Sequence, residues 1–356
     1  MGHRFSKPAS KGFKPELGSR LPVTITWDRI LSTAPALPLN RKAWSSARER
    51  ATAFDVRRLE RLRLHQNGGH THLVTSVAIL PDGQRIVTGS RDGTIKAWDA
   101  STHRCLYTLE GHADLITSVE ISPDGQRIIS GSRDGIIKAW DTSTHRCLYT
   151  LGEDTYTINS FAISPDGQRV VTGVRCHTFG IDGLMVWHTT QTFQLLNFFE
   201  GHLDLITSVA MSPDGQRIVS SSEDHTVRVW DMRKPSWCIR TLRGYTRPVT
   251  SVAISANGLR VVSTGLQDRT IWVWDTETGL CLGTLEGHEG PVKSVAIMPG
   301  RPLVVSSSDG TVKVWNAVTG ECLHTEPGAN HFVIDASNPE RPSVLCFYAN
   351  WERGAA

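Results

Sequence analysis

Along most of this chain, apolar residues alternate with polar ones in short runs that end at Gly, Asp or Pro. Thr117-Ser118-Val119-Glu120-Ile121-Ser122 is one such run, closed by Pro123-Asp124-Gly125. A period of two puts successive side chains on opposite faces, so each run predicts a half-buried strand rather than a helix. A second strand is predicted over Gln126 to Ser130, turning back at Arg133-Asp134-Gly135. Ile136 to Trp140 gives a third, and Arg146 to Leu151 a fourth.

This four-strand pattern recurs. Residues 69–99 reappear at 111–141 with a shift of 42 residues, and STHRCLYTL follows both copies at 101–109 and 143–151. A third close copy fills 201–231, and more divergent ones end at Trp187, Trp274 and Trp315. Six units at this spacing match the period of about 40–45 residues of propeller blades. No single unit can bury both of its faces, so the copies must stack in a ring.

Gly-His near the start of each unit and Trp-Asp at its end resemble the WD-repeat family, over roughly residues 69–325. The resemblance implies an all-β propeller with a buried tetrad of His, Ser or Thr, Asp and Trp in each blade. The matching sets are His70/Thr88/Asp92/Trp98, His112/Ser130/Asp134/Trp140 and His202/Ser220/Asp224/Trp230. His288/Ser306/Asp309/Trp315 also fits, with a turn one residue shorter. Two units depart. The fifth has Tyr245 in place of His, with Asp268 and Trp274 kept; the third has Asp154 there and inserts Val174 to Ile181, which predicts a long loop.

Both termini contribute to the expected closure. Phe332 to Ala336 and Ser343 to Tyr348 can be laid over the first two strands of a blade, with Asn338 to Pro342 as the turn. GSRLPVTITWD at 18–28 matches 89–99 in length and ends in Trp27-Asp28, and Leu62 to Gln66 offers a fourth strand. The expected architecture is therefore seven blades, the last a composite of the two ends, which removes the open edge of an incomplete ring. Residues 1–68 form a basic arm with a helix over 41–61, whose Trp44, Ala47, Ala51 and Phe54 share a face. Residues 69–325 hold six blades, and 326–356 the C-terminal strands of the closing one.

Composition fits a globular protein, with 39% hydrophobic and 21% charged residues among 356. There is no run of 18 apolar residues and no apolar secretory stretch at the N-terminus. Seven cysteines without a CxxC pair argue against a disulfide framework, so cytoplasm or nucleus is the expected compartment. The net charge of +3 hides an asymmetry: residues 1–68 hold 14 Lys and Arg against 5 Asp and Glu, and the remainder 24 against 30. A solvated tail is the simplest reading of the arm; nucleic acid, acidic proteins or anionic lipid are the partner classes it would favour. No row of aromatic residues accompanies the arginines, so specific nucleic-acid binding is not expected.

Ser130, His112 and Asp134 are the residue types of a hydrolase triad, but the same trio recurs blade after blade, whereas catalysis needs one exposed nucleophile. Cys105, Cys147, Cys238, Cys281 and Cys322 share one position in successive blades, and two ligands per blade do not make a zinc site. No catalytic residue, metal or cofactor is expected. The chain reads as a non-enzymatic scaffold or adaptor with protein partners. The resemblance places the partner face on the loops before the first and after the second strand of each blade. These carry Arg91, Asp114, Leu115, Arg133, Asp204, Leu205, Glu223, Arg247, Pro248, Gln267, Pro291 and Ser308. An alternative rests on 218–233, which ends in Trp-Asp-Met-Arg and resembles the DWD box of cullin-RING ligase substrate receptors, with Arg233 as its distinguishing residue. MGHRFS also fits the signal for myristoylation of Gly2, the one route by which a membrane would enter.

Overall fold

Every repeat folds into an antiparallel meander because each alternating run is followed by a turn sequence that sends the chain back beside it. The computed structural model describes residues 69–347 apart from 103, 153–155, 177–180, 190–193, 235–237, 330 and 336–342. Blade 1 comprises β1 (Val74–Ile79), β2 (Arg85–Ser90), β3 (Ile95–Asp99) and β4 (Cys105–Leu109). Blade 2 comprises β5 (Ile116–Ile121), β6 (Arg127–Ser132), β7 (Ile136–Asp141) and β8 (Cys147–Gly152). Blade 3 has β9 (Tyr156–Ile163), β10 (Arg169–Cys176), β11 (Ile181–His188) and β12 (Leu195–Glu200). Blade 4 has β13 (Ile206–Met211), β14 (Arg217–Ser222), β15 (Val227–Asp231) and β16 (Cys238–Leu242). Blade 5 has β17 (Val249–Ile254), β18 (Arg260–Gly265), β19 (Ile271–Asp275) and β20 (Cys281–Leu285). Blade 6 has β21 (Val292–Ile297), β22 (Leu303–Ser308), β23 (Thr311–Asn316) and β24 (Cys322–Pro327), and a two-stranded sheet follows, β25 (His331–Asp335) with β26 (Ser343–Phe347).

The apolar cores lie between blades rather than within them. Val87, Ile95, Ala97 and Leu109 of blade 1 pack with Ile116, Val119, Ile128 and Trp140 of blade 2. Val262, Ile271, Val273 and Leu285 meet Val292, Val295, Val304 and Trp315 in the same way across blades 5 and 6. Each unit therefore depends on its neighbour for burial, as stacked repeats do. Polar ties cross the same seams: the hydroxyls of Ser76, Ser160 and Ser251 accept the N–H groups of Val119 (3.0 Å), Val209 (3.1 Å) and Val295 (3.2 Å). The Pro-Asp-Gly turns also stack between blades. A Cβ on Gly125 would lie 3.1 Å from the Pro81 ring, one on Gly167 3.4 Å from Pro123, and one on Gly215 3.6 Å from Pro165. Gly125 combines this contact with a φ of 69°, so both space and backbone demand glycine.

The first strands of consecutive blades, β1, β5, β9, β13, β17 and β21, pack side by side around the ring. β25 packs against both β22 and β1, and so occupies the gap between blades 6 and 1. Val344 and Cys346 of β26 are buried with Val305, Val312 and Val314 of blade 6.

Three expectations need revision or lie out of reach. Among the described residues there are six four-stranded blades and one two-stranded sheet, not seven full blades, and no helix. The helix at 41–61, the strands at 18–28 and 62–66, and Gly2 all lie outside the described residues. The insertion in blade 3 is mostly strand rather than loop. Val174, Arg175 and Cys176 pair with Gly183, Asp182 and Ile181, so the added residues lengthen the β10–β11 hairpin. β9 lengthens with them, pairing Tyr156 with Cys176.

Candidate functional site

Polar side chains converge inside three blades in one geometry. In blade 4, His202 Nε2 lies 2.7 Å from Ser220 Oγ, its Nδ1 lies 2.8 Å from Asp224, and the Trp230 indole N–H donates to the same Ser220 oxygen at 2.9 Å. Blade 1 repeats this with His70, Thr88 (2.7 Å), Asp92 (3.0 Å) and Trp98 (2.8 Å). Blade 2 does so with His112, Ser130 (2.9 Å), Asp134 (3.0 Å) and Trp140 (2.9 Å). The strand register brings them together, since Thr88, Ser130 and Ser220 sit on the second strand with the Trp two positions along the third. Burial lowers the His70 and His202 pKa values, against the pull of Asp92 and Asp224. Burial works against the Asp224 charge, but the bonds from His202, Thr226 and Leu203 outweigh it and hold the carboxyl below its usual range.

The other three blades solve the same problem differently. In blade 6, His288 reaches Ser306 (2.7 Å), and Trp315 donates to that hydroxyl (2.8 Å). The expected fourth member, Asp309, is turned outward to Lys293, and Thr311 takes its place beside Nδ1 at 3.2 Å. The shorter turn accounts for this. With no carboxylate beside it, His288 is pushed down to about 4 by burial and the Lys313 charge. In blade 5 the Tyr245 hydroxyl meets Ser263 at 2.9 Å while Trp274 donates to Ser263 at 2.8 Å, and Asp268 instead accepts from Trp272. Blade 3 keeps Trp187 on Thr172 (3.1 Å), and Asp154 lies outside the described residues. Here a charged group dominates: Arg175 binds Asp182 through both Nε (2.9 Å) and Nη2 (3.1 Å), and also binds Asp204 of blade 4.

Chemically these clusters hold strands together. The Ser130 and Ser220 hydroxyls are fully buried, and each is engaged by both an indole and an imidazole. No substrate can reach such an oxygen, and a triad nucleophile must be reached. Among the described residues no group of three or more His, Cys, Asp or Glu gathers to hold a metal. The repeated cysteines lie opposite the blade tryptophans, as Cys105 does opposite Trp98, where the outer strand slips register by one residue. His145 stacks on Tyr107, ring centres 3.7 Å apart, rather than joining Cys147 in a site.

The recurrence of this buried geometry has its counterpart in family comparison. The pattern described as "WD domain, G-beta repeat" matches six segments, 62–99, 103–141, 145–183, 193–231, 236–275 and 279–316, together more than half of the chain. The chain belongs to the WD-repeat family. Among curated proteins, a "Ribosome biogenesis protein BOP1 homolog" of Drosophila grimshawi is 52% identical over 42 residues, and that of Aedes aegypti 51% over 41 residues. Each match covers 12% of this chain and 5% of the relative, so the likeness extends over about one WD repeat.

The loops of this WD-repeat ring form the candidate binding face. Because Val74 pairs with Ser90, the loop before the first strand and the loop after the second emerge at one end of each blade. There Arg91 N–H donates to Leu73 O (2.9 Å), Arg133 to Leu115 O (3.0 Å), and Glu223 to Leu205 O (2.8 Å). Arg91, Arg133, Glu223 and Arg247 are exposed, and Leu115 and Leu205 are half-buried. Arg247 is tied to Gln267. Ser308, expected on this face, is fully buried. The sequence carries no sign of the largest apolar exposure among the described residues: Leu203 is 86% exposed, directly after tetrad His202. At the opposite end Arg233 stands clear of the blade, yet closes both arms of its fork on Asp231, through Nε (3.0 Å) and Nη2 (2.9 Å).

Proposed function

We propose that this chain is a non-enzymatic interaction scaffold or adaptor, acting in the cytoplasm or nucleus, that presents the loop face of its ring to protein partners. One observation carries this: the polar residues that resemble chemistry are consumed inside the blades, while Leu203, Leu73 and exposed charges crowd one end. An apolar centre with a charged rim suits a protein interface. The work named for the ribosome-biogenesis relatives is not carried over, because one shared repeat is scaffold. The test is affinity capture of the full-length chain from its own cells with mass spectrometry. A partner set lost on Leu203→Asp with an unchanged melting temperature supports the reading. Absence of any stoichiometric partner sinks it.

The same reading gives the N-terminal segment a structural task. β25 and β26 supply half a blade between blades 6 and 1, and strands at 18–28 and 62–66 would complete it as a seventh.

A second reading, docking to a cullin-ligase adaptor through 218–233, draws on the 64% exposure of the Arg233 side chain. Against it stands the closed fork, since an adaptor would have to displace Asp231 or use the remaining guanidinium edge. Co-precipitation with wild type and Arg233→Ala decides: capture by wild type and loss by the variant favours the receptor reading, and equal behaviour removes it.

A further inference from the structure

We infer that blades 1 and 2 form a basic and apolar sector of the loop face that receives an acidic protein segment carrying apolar residues, an inference resting on the scaffold reading above. Arg91 and Arg133 occupy equivalent positions in adjacent blades, each with its backbone N–H fixed to the leucine carbonyl beside it, Leu73 (2.9 Å) or Leu115 (3.0 Å). Both arginines are exposed, and among the described residues neither is in an ion pair or hydrogen bond through its side chain. That sets them apart from three other cations of this face. Lys293 is held by Asp309, Arg247 by Gln267, and Arg175 by Asp182 and Asp204. Asp114, in the Leu115 loop, turns its carboxyl to the Leu115 N–H (2.6 Å) rather than to Arg133, and the adjacent Asp92 and Asp134 are engaged by His70 and His112.

The contrast with blade 4 makes the sector a local property. Where blades 1 and 2 place arginine, blade 4 places Glu223 on the Leu205 carbonyl. The face therefore carries free positive charge on one side and negative charge on another. A guanidinium fork with no internal partner can take a carboxylate through two parallel hydrogen bonds without first breaking an existing pair. Leu73 and Leu115 lie beside those forks, so apolar residues of the same segment find carbon to cover. Nucleic acid fits less well. The leucines beside the arginines offer bases no stacking platform.

The experiment uses the full-length chain and a fluorescent peptide alternating glutamate and leucine, read by anisotropy. Controls are the same peptide with lysine for glutamate, and a poly-uridine oligonucleotide. Wild type should bind the glutamate peptide, less tightly as salt rises, and R91E/R133E should weaken it about tenfold or more at unchanged melting temperature. Should the charge reversal disturb folding, R91A/R133A reads the same loss with less perturbation. No binding by wild type, equal binding by the variants, or equal binding of the lysine peptide or poly-uridine overturns the inference. Cross-linking in cells separates it from the scaffold reading. Partners retained by both wild type and R91E/R133E leave the scaffold intact and remove this sector, whereas partners on neither remove the scaffold itself.

Discussion

Blade 6 should be the acid-sensitive point of the ring, and blade 5 shows how to remove that sensitivity. His288 is buried against Ser306 without a carboxylate, and its pKa falls from 6.5 to about 4. A histidine whose pKa is lower in the folded chain binds fewer protons folded than unfolded. Its contribution to stability is complete above about pH 6.5, is lost as pH falls toward 4, and changes little below. The shift corresponds to about 3 kcal/mol across that window, a large share of the stability of an ordinary domain. Tyr245 fills the same place in blade 5, where its hydroxyl shares a hydrogen bond with Ser263, and burial pushes its pKa up, away from this range. Its ring needs Gly265, where a Cβ would lie 3.1 Å away, and the register equivalent of Gly265 in blade 6 is Ser308. The double variant H288Y/S308G therefore transplants the blade 5 solution. Urea unfolding followed by tryptophan fluorescence, at pH values from 7 to 4, measures both proteins. Wild type should lose about 3 kcal/mol more than the variant between pH 6.5 and 4, and the other histidines cancel in the difference. Parallel pH profiles would refute the reasoning, whatever the variant costs at neutral pH.

Two further outcomes are expected. Ser130→Ala removes the oxygen shared by His112 and Trp140 and leaves two buried groups without it, so stability should fall by about 2 kcal/mol or more while capture of partners persists; a purified hydrolase activity abolished by this change in an otherwise unaltered fold would overturn the non-enzymatic reading. Deleting residues 1–68 should cause aggregation or a large drop in melting temperature through exposed strand edges, and a monomeric, equally stable product would show that the ring closes without that segment.

Much of the fold is written in local pattern. Arg133-Asp134-Gly135 turns where it was expected to turn, and β7 begins at Ile136, because turn chemistry and alternation act over a few residues. The insertion in blade 3 was misread because length alone suggests a loop. What decides is pairing, with Arg175 opposite Asp182 in a hairpin that continues to Cys176 opposite Ile181. The site was legible only as residue types at a spacing. One residue fewer in the blade 6 turn sends Asp309 to Lys293 instead of His288, a consequence of geometry that spacing conceals. The tie from Arg175 to Asp204 crosses between blades, and nothing in either repeat alone announces it. Leu203 stands exposed beside a buried histidine, and an apolar residue type in a loop carries no mark of which way it faces.

The stacking of Pro81 on Gly125, Pro123 on Gly167 and Pro165 on Gly215 bears on how such a chain grows. Each repeat carries the ring that its successor needs and the bare glycine that its predecessor needs. A copied gene segment therefore arrives with both mating surfaces already correct, and the near-identity of the units at 69–99 and 111–141 is what an addition without compensating changes would leave behind. Beyond blade 4 this grammar stops. Gly258 of blade 5 meets the Arg217 side chain although Pro213 is present in blade 4, and Ala256 stands where blade 5 would carry its own proline. A unit added among the first four blades would thus meet the same proline-on-glycine turn contact on either side, whereas one added after blade 4 would meet an arginine side chain in its place.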